Sequence, residues 1–134
     1  MPQLKIIVTA AVILDGANVL IGRRKHDQLL AGHWEFPGGK QETGESLTEC
    51  LQRELEEELG VNATIHEEIF MEVDHTYERG DIKLVAMLAD IGDQLPMSKS
   101  HDLLAWAKIS ELHTFKLAPA DLPIAQKIVE RFGQ

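Results

Sequence analysis

Between Ser46 and Gly60 the chain spells out one amphipathic helix, and that helix constrains most of what can surround it. Ser46 with Glu49 three residues later is a capping box, in which each side chain accepts from the other's backbone amide. Gly60 directly after Leu59 supplies a left-handed stop. Leu47, Leu51, Leu55 and Leu59 recur every four residues, so they form a single apolar stripe. Such a stripe has to cover a sheet.

Strand material stands on both sides of it. Lys5 to Leu14 and Val19 to Arg24 are rich in Ile, Val and Leu around Asp15-Gly16-Ala17-Asn18, which predicts a β-hairpin. Ile65 to Asp74 and Ile82 to Asp90, bracketing Glu78-Arg79-Gly80-Asp81, predict a second. From Lys25 to Gln41 the periodicity fails and glycines accumulate, predicting a loop, a short strand about Trp34 to Phe36 and a tight turn. Asp93 to Asp102 reads as a polar loop, followed by a strand near Trp106 to Ile109. A second helix is expected from near Pro119 or Asp121 through Phe132. With 134 residues the expectation is one domain, residues 1–134, of α+β or layered α/β/α class.

Composition narrows the partners. Lys and Arg number 13 against 22 Asp and Glu, a net charge of −9, and such a surface repels a nucleic-acid backbone. Polymeric nucleic acid is therefore not expected as a partner. The lone cysteine, Cys50, fits a reducing compartment, with the cytosol as the default. Lys5 followed by Ile6 to Leu14 superficially resembles a secretory signal, but Asp15-Gly16 interrupts the apolar run and a partner strand follows. No run approaches the roughly 20 apolar residues of a membrane span, so no membrane is expected.

The negative charge is concentrated. Glu42, Glu45, Glu49, Glu54, Glu56, Glu57 and Glu58 face only Arg53 between Gln41 and Gly60. At about 100° per residue, Glu54, Glu57 and Glu58 share one helix face beside the leucine stripe, while Glu56 points elsewhere. Carboxylates that close repel, and a divalent ion resolves the conflict. Hard oxygen donors at a partly exposed site suit Mg²⁺ or Mn²⁺, which keep several waters and accept phosphate oxygens. The bland alternative is a solvated, Glu-rich helix face.

Spacing decides between the two. Gly39, Glu45, Arg53-Glu54-Leu55, Glu57-Glu58 and Gly60-Val61 stand at the intervals of the Nudix box, and the chain resembles the Nudix hydrolase family at every defined position. A match of that kind arises by chance about once in 10⁹ placements at average residue usage. Arg23-Arg24, the run Trp34 to Lys40 and Pro119-Ala120-Asp121 are further similar to the MutT branch, the nucleoside triphosphate pyrophosphohydrolases. The resemblance implies a mixed sheet sandwiched between helices. It also implies Mg²⁺-dependent hydrolysis of a nucleoside triphosphate to monophosphate and pyrophosphate, with water attacking the β-phosphorus.

By that resemblance Glu57 and Glu58 are metal ligands together with the Gly38 carbonyl, and Glu54 is the general base or a further ligand. Arg53 is expected to orient the glutamates, Glu45 to stand behind them or bind weakly, and Lys40 either to hold a phosphate or to be solvated. MutT-like enzymes often carry one more metal-binding glutamate before the late strand. This chain offers Ser100 there, with His101 and Asp102 next, so either Asp102 substitutes or water does.

At the other end of the substrate, Phe36 is placed to line the base pocket, Arg24 to contact substrate or simply to be exposed, and Asp121 to face the base or to cap the last helix. An ionised Asp only accepts hydrogen bonds, which favours the amino group of cytosine or the N1 and N2 donors of guanine. The expected activity is removal of oxidised nucleotides such as 8-oxo-dGTP from the nucleotide pool, a DNA-repair role. The alternatives are CTP, dCTP or 5-hydroxy-dCTP as substrate, or a non-catalytic nucleotide-binding module. A monomer or homodimer is expected. Cys50 is read as a small buried side chain, Trp106 as core, and His66, His75, His101 and His113 as lacking metal-ligand spacing.

Overall fold

The computed structural model describes residues 6–77 and 80–133. In chain order the elements are β1 (Ile6–Asp15), β2 (Asn18–Arg24), β3 (Trp34–Glu35), β4 (Gly38–Lys40), α1 (Leu47–Leu59), β5 (Thr64–Tyr77), β6 (Gly80–Asp90), β7 (His101–Lys108) and α2 (Leu122–Phe132). Two 3₁₀ turns, Ile109–Thr114 and Pro119–Asp121, join the last strand to the last helix.

The strands run in the order β3-β2-β1-β6-β5, with β4 also paired to β1 and β7 to β2. β1 and β6 are parallel, in register from Ile6↔Ile82 to Ile13↔Ala89, and the remaining pairings are antiparallel. β1 is central, and Ala10 to Ile13 are buried on both faces, as a continuous apolar run in a covered sheet should be.

Alternation along β1 divides the core. Ala11 and Ile13 meet Leu51, Leu55 and Leu59 of α1, while Ala10 and Val12 belong with Ile124 and Ile128 of α2. One helix lies on each side of a mixed sheet, the expected α/β/α layering. The capping box at Ser46 is formed in both directions and Gly60 takes φ 67°, so α1 begins and ends where its residues dictate. Burying each leucine of the stripe is worth about 1.5–3 kcal/mol.

Four expectations need correction. The tight turn at Gly38-Gly39 is a strand, β4, because these residues pair with Thr9 and Ala10 of β1. β5 is longer than read, reaching from Thr64 to Tyr77. β7 starts at His101 rather than near Trp106, since the polar segment pairs with Arg23 and Arg24 of β2, and Ile109 already lies in a 3₁₀ turn. Trp106 is not core: 38% of it is exposed, because alternation on β7 turns Ala107 inward and Trp106 outward. Of the expected second turn, Glu78 and Arg79 lie outside the described residues. Among the described residues no helix is long and apolar enough to cross a membrane.

Candidate active site

A cleft of about 740 Å³ runs from β4 and α1 at one end to the start of α2 at the other. Gly38, Gly39, Glu54, Glu58 and Ser100 line the acidic end, and Arg24, Glu35, Phe36, Tyr77 and Asp121 the far end. The glycines of β4 are required by close approach rather than by turning. A Cβ at Gly38 would collide with the Thr9 carbonyl, and one at Gly39 with the Glu54 carboxyl. The backbone of β4 is thereby pressed between the sheet and the helix that carries the glutamates.

Arg53 organises the acidic end. Its Nε and Nη2 donate to Glu45 at 3.0 and 2.7 Å, Nη1 donates to Glu54 at 2.9 Å and Glu57 at 3.2 Å, and Nη2 also donates to the Lys40 carbonyl at 3.0 Å. The paired guanidinium and the Glu42 amide hold Glu45 down to about 2, so Glu45 is a fixed anion behind the site. A single guanidinium thus ties Glu45, Glu54 and Glu57 to the Lys40 carbonyl of β4.

Glu54 and Glu57 share a single nitrogen of Arg53, and Glu58 has no bond to it. Burial pushes Glu54 above the usual carboxylate range, partly offset by Arg53. Burial and the neighbouring Glu54 push Glu58 up to about 7. Glu57 is 61% exposed and pairs with Arg53. Ser100 Oγ is buried near Glu58 but makes no well-formed hydrogen bond among the described residues. Asp102 is turned away from the cleft and pairs with Arg23 at 2.8 Å, so it does not stand in for a ligand.

These donors suit a hard divalent cation. Burial and Glu57 raise Glu54, burial and Glu54 raise Glu58, and the Ser100 hydroxyl beside Glu58 lacks a partner among the described residues. Among the described residues no three acidic, His or Cys side chains converge tightly enough to cage a bare ion. An open set of that kind fits Mg²⁺ or Mn²⁺, which retain water and complete their shell with substrate oxygens.

The far end is built around a residue pair the sequence reading missed. His101, buried on β7, has Nε2 2.8 Å from Glu35 Oε2 and Nδ1 2.9 Å from Ser98 Oγ. Arg24 donates to Glu35 Oε1 at 2.8 Å and to the Leu29 carbonyl at 2.6 Å, so it is neither free nor simply exposed. Burial raises Glu35, but the bonds from His101 and Arg24 outweigh it, and its carboxyl stays below the usual range. The signal was present in Gly22: only a residue without a Cβ leaves room for the His101 ring.

Beside Glu35, Asp121 is buried with Oδ1 3.5 Å from the Phe36 amide. Burial, reinforced by Glu35, pushes it up to about 8. It stands at the N-terminus of α2 without a capping bond, which removes the capping alternative. A neutral Asp121 both donates and accepts, correcting the expectation of an acceptor-only side chain. Phe36 is core and cleft wall at once. Lys40 is exposed at the cleft rim.

The layered sheet agrees with the comparisons. Residues 9–127 match the family described as NUDIX domain, and the chain belongs to that family. Its members are hydrolases that generally depend on a divalent metal and act on small nucleotide substrates. Among curated relatives it is 36% identical over 121 residues to the CTP pyrophosphohydrolase of Escherichia coli, covering 89% of this chain and 87% of that one. It is 29% identical over 125 residues to the 8-oxo-dGTP diphosphatase of the same organism, covering 92% and 96%. The solution structure of the E. coli ORF135 protein superposes with a TM-score of 0.81 at 34% identity, covering 94% of this chain and 89% of that one.

Proposed function

We propose that this chain is a Mg²⁺-dependent nucleoside triphosphate pyrophosphohydrolase that removes oxidised nucleotides such as 8-oxo-dGTP from the cytoplasmic pool. The observation that carries the reading is the cleft itself. Its acidic end presents Glu54, only partly neutralised by Arg53, and Glu58, which has no bonded cation among the described residues; its other end presents Phe36, Glu35 and a protonated Asp121, so a polyphosphate and a base can be held together.

Glu57, Glu58 and the Gly38 carbonyl would hold the cation, which would supply positive charge against the polyphosphate and acidify a water. Glu54, half-buried and only partly neutralised by Arg53, accepts the proton of the attacking water. The water oxygen bonds to the β-phosphorus and the bond from that phosphorus to the α–β bridging oxygen breaks. Nucleoside monophosphate then leaves with that oxygen, and pyrophosphate keeps the oxygen of water. Arg53 holds Glu54 and Glu45 throughout, Lys40 at the rim steadies a phosphate, and Arg24 fixes Glu35 at the base end. Every group in this reading comes from one chain, so a monomer suffices and a homodimer is compatible.

A cytidine triphosphate is the second reading, favoured by the 36% identity to a relative named CTP pyrophosphohydrolase against 29% to the one named 8-oxo-dGTP diphosphatase. Pyrophosphate release from 8-oxo-dGTP, dGTP, CTP, dCTP and 5-hydroxy-dCTP, ranked by kcat/KM with Mg²⁺ and with excess chelator, tests both. Chelator-sensitive release led by 8-oxo-dGTP supports the first, and release led by a cytidine nucleotide the second. Binding without turnover of any of them would point to a nucleotide-binding module instead. Glu57→Gln should abolish turnover with the circular dichroism unchanged, and full activity in that variant would remove Glu57 from the metal site.

A further inference from the structure

Resting on that reading of the acidic end, one buried polar residue acquires a role that the chemistry so far leaves unused. Thr9 lies in the middle of β1, 1% exposed, on the face that otherwise presents Ala11 and Ile13 to α1. A hydroxyl there costs stability unless it is hydrogen-bonded, so its partner shows what it is for. Thr9 Oγ1 donates to the Gly39 carbonyl at 3.1 Å, and Cys50 Sγ on α1 stands 3.4 Å from the same hydroxyl and 3.7 Å from the same carbonyl. Burial pushes the Cys50 thiol up, so it keeps a proton to offer.

The neighbouring peptides are fixed as well. The Ala11 amide donates to the Pro37 carbonyl at 2.7 Å, and Arg53 donates to the Lys40 carbonyl. The carbonyls at 37, 39 and 40 are therefore each held by a named donor, and the peptide that carries the Gly38 carbonyl lies between two fixed peptides, which restrict the φ and ψ angles that set its plane. We infer that Thr9, backed by Cys50, is a positioning residue that orients the Gly38–Gly39 peptide so that the Gly38 carbonyl can ligate the divalent cation. The Thr9 hydroxyl and the Cys50 thiol are both engaged at the Gly39 carbonyl, so they act through the backbone of β4.

The test is Mn²⁺ binding followed by electron paramagnetic resonance, a Mg²⁺ titration of pyrophosphate release, and thermal melts, on wild type, Thr9→Val, Thr9→Ser and Cys50→Ala. Thr9→Val keeps the shape and loses the hydroxyl. Groups that orient a metal ligand change affinity about 10- to 100-fold when removed, and with the sheet pairing intact the lower end applies, about tenfold weaker Mn²⁺ binding. The Mg²⁺ concentration for half-maximal rate should rise equally, with nucleotide KM and the rate at saturating Mg²⁺ little changed. Thr9→Ser should restore wild-type binding, and Cys50→Ala, which loses only the longer contact, should cost about 2- to 3-fold.

Unchanged Mn²⁺ affinity in Thr9→Val would overturn the assignment, including when its melting temperature falls, because that pattern marks a merely structural hydroxyl. Should Thr9→Val fail to fold, Cys50→Ala decides: affinity equal to wild type refutes the positioning role. No Mn²⁺ binding by wild type would remove the metal reading itself and this inference with it.

Discussion

Asp121 makes the fold weaker as pH rises, and Asp121→Asn should remove that dependence. The carboxyl is buried beside Glu35 with no cation bonded to it among the described residues, and it titrates near 8 instead of 3.8. Below about pH 4 both folded and unfolded chains hold the proton, so the group contributes nothing to the difference. Between about pH 4 and 8 the folded chain still holds a proton that the unfolded chain has released. Unfolding is then favoured by about 1.36 kcal/mol for each pH unit, and above pH 8 the penalty stays level.

From pH 5 to pH 8 the ceiling is about 4 kcal/mol, and water entering the open cleft should bring the observed loss nearer half of that. The carboxamide introduced by Asp121→Asn has the same shape, keeps an acceptor for the Phe36 amide and carries no charge at any of these pH values. Urea denaturation of both proteins at pH 5, 6.5 and 8 isolates the effect, because Glu58 and the other groups not coupled to Asp121 are common to both and cancel in the difference. The stability of Asp121→Asn relative to wild type should grow steadily with pH. A difference that stays constant, or shrinks, would refute a protonated Asp121 and return the base end to an acceptor-only carboxylate.

Other perturbations probe the neighbouring contacts. Arg53→Lys keeps the charge but cannot reproduce a fork that reaches Glu45, Glu54, Glu57 and the Lys40 carbonyl at once; kcat should fall by at least about tenfold with little change in nucleotide KM, as steady-state kinetics would show. Gly22→Ala places a methyl 2.7 Å from the His101 ring, so the ring must move, and denaturation should report a loss of about 1–3 kcal/mol. Leu55→Ala, at a fully buried position of the stripe, should cost about 2–5 kcal/mol in the same assay, whereas Trp106→Ala on the outer face of β7 should cost clearly less than a core aromatic.

What was legible in the sequence was whatever local chemistry settles alone. Ser46, Glu49 and Gly60 fix the ends of α1 through their own backbone bonds, and the leucine interval fixes its buried face. The boundaries of β4 and β7 were not legible, because pairing across the sheet decides them. Gly38-Gly39 has poor strand propensity and becomes a strand only because β1 lies beside it, and His101 to Lys108 is extended because β2 offers it a complete edge. Trp106 was misplaced for the same reason: an aromatic residue names a preference for burial, and the strand register decides whether it is met.

The site divides along the same line. Glutamates spaced along one helix face can be read from helical geometry, but whether each is compensated cannot, since that depends on where a single guanidinium points. Arg53 stands among Glu42, Glu45, Glu54, Glu57 and Glu58 and could have favoured any of them. It commits two nitrogens to Glu45 and spreads one over Glu54 and Glu57, leaving Glu58 with no cation within bonding distance among the described residues. At the far end the logic is reversed: Glu35 receives both His101 and Arg24, and Asp121, left with only an amide, stays neutral. A cation held beside Glu58 would therefore let a protein with a net charge of −9 accept a polyphosphate, because it offsets the charge locally where the phosphates lie.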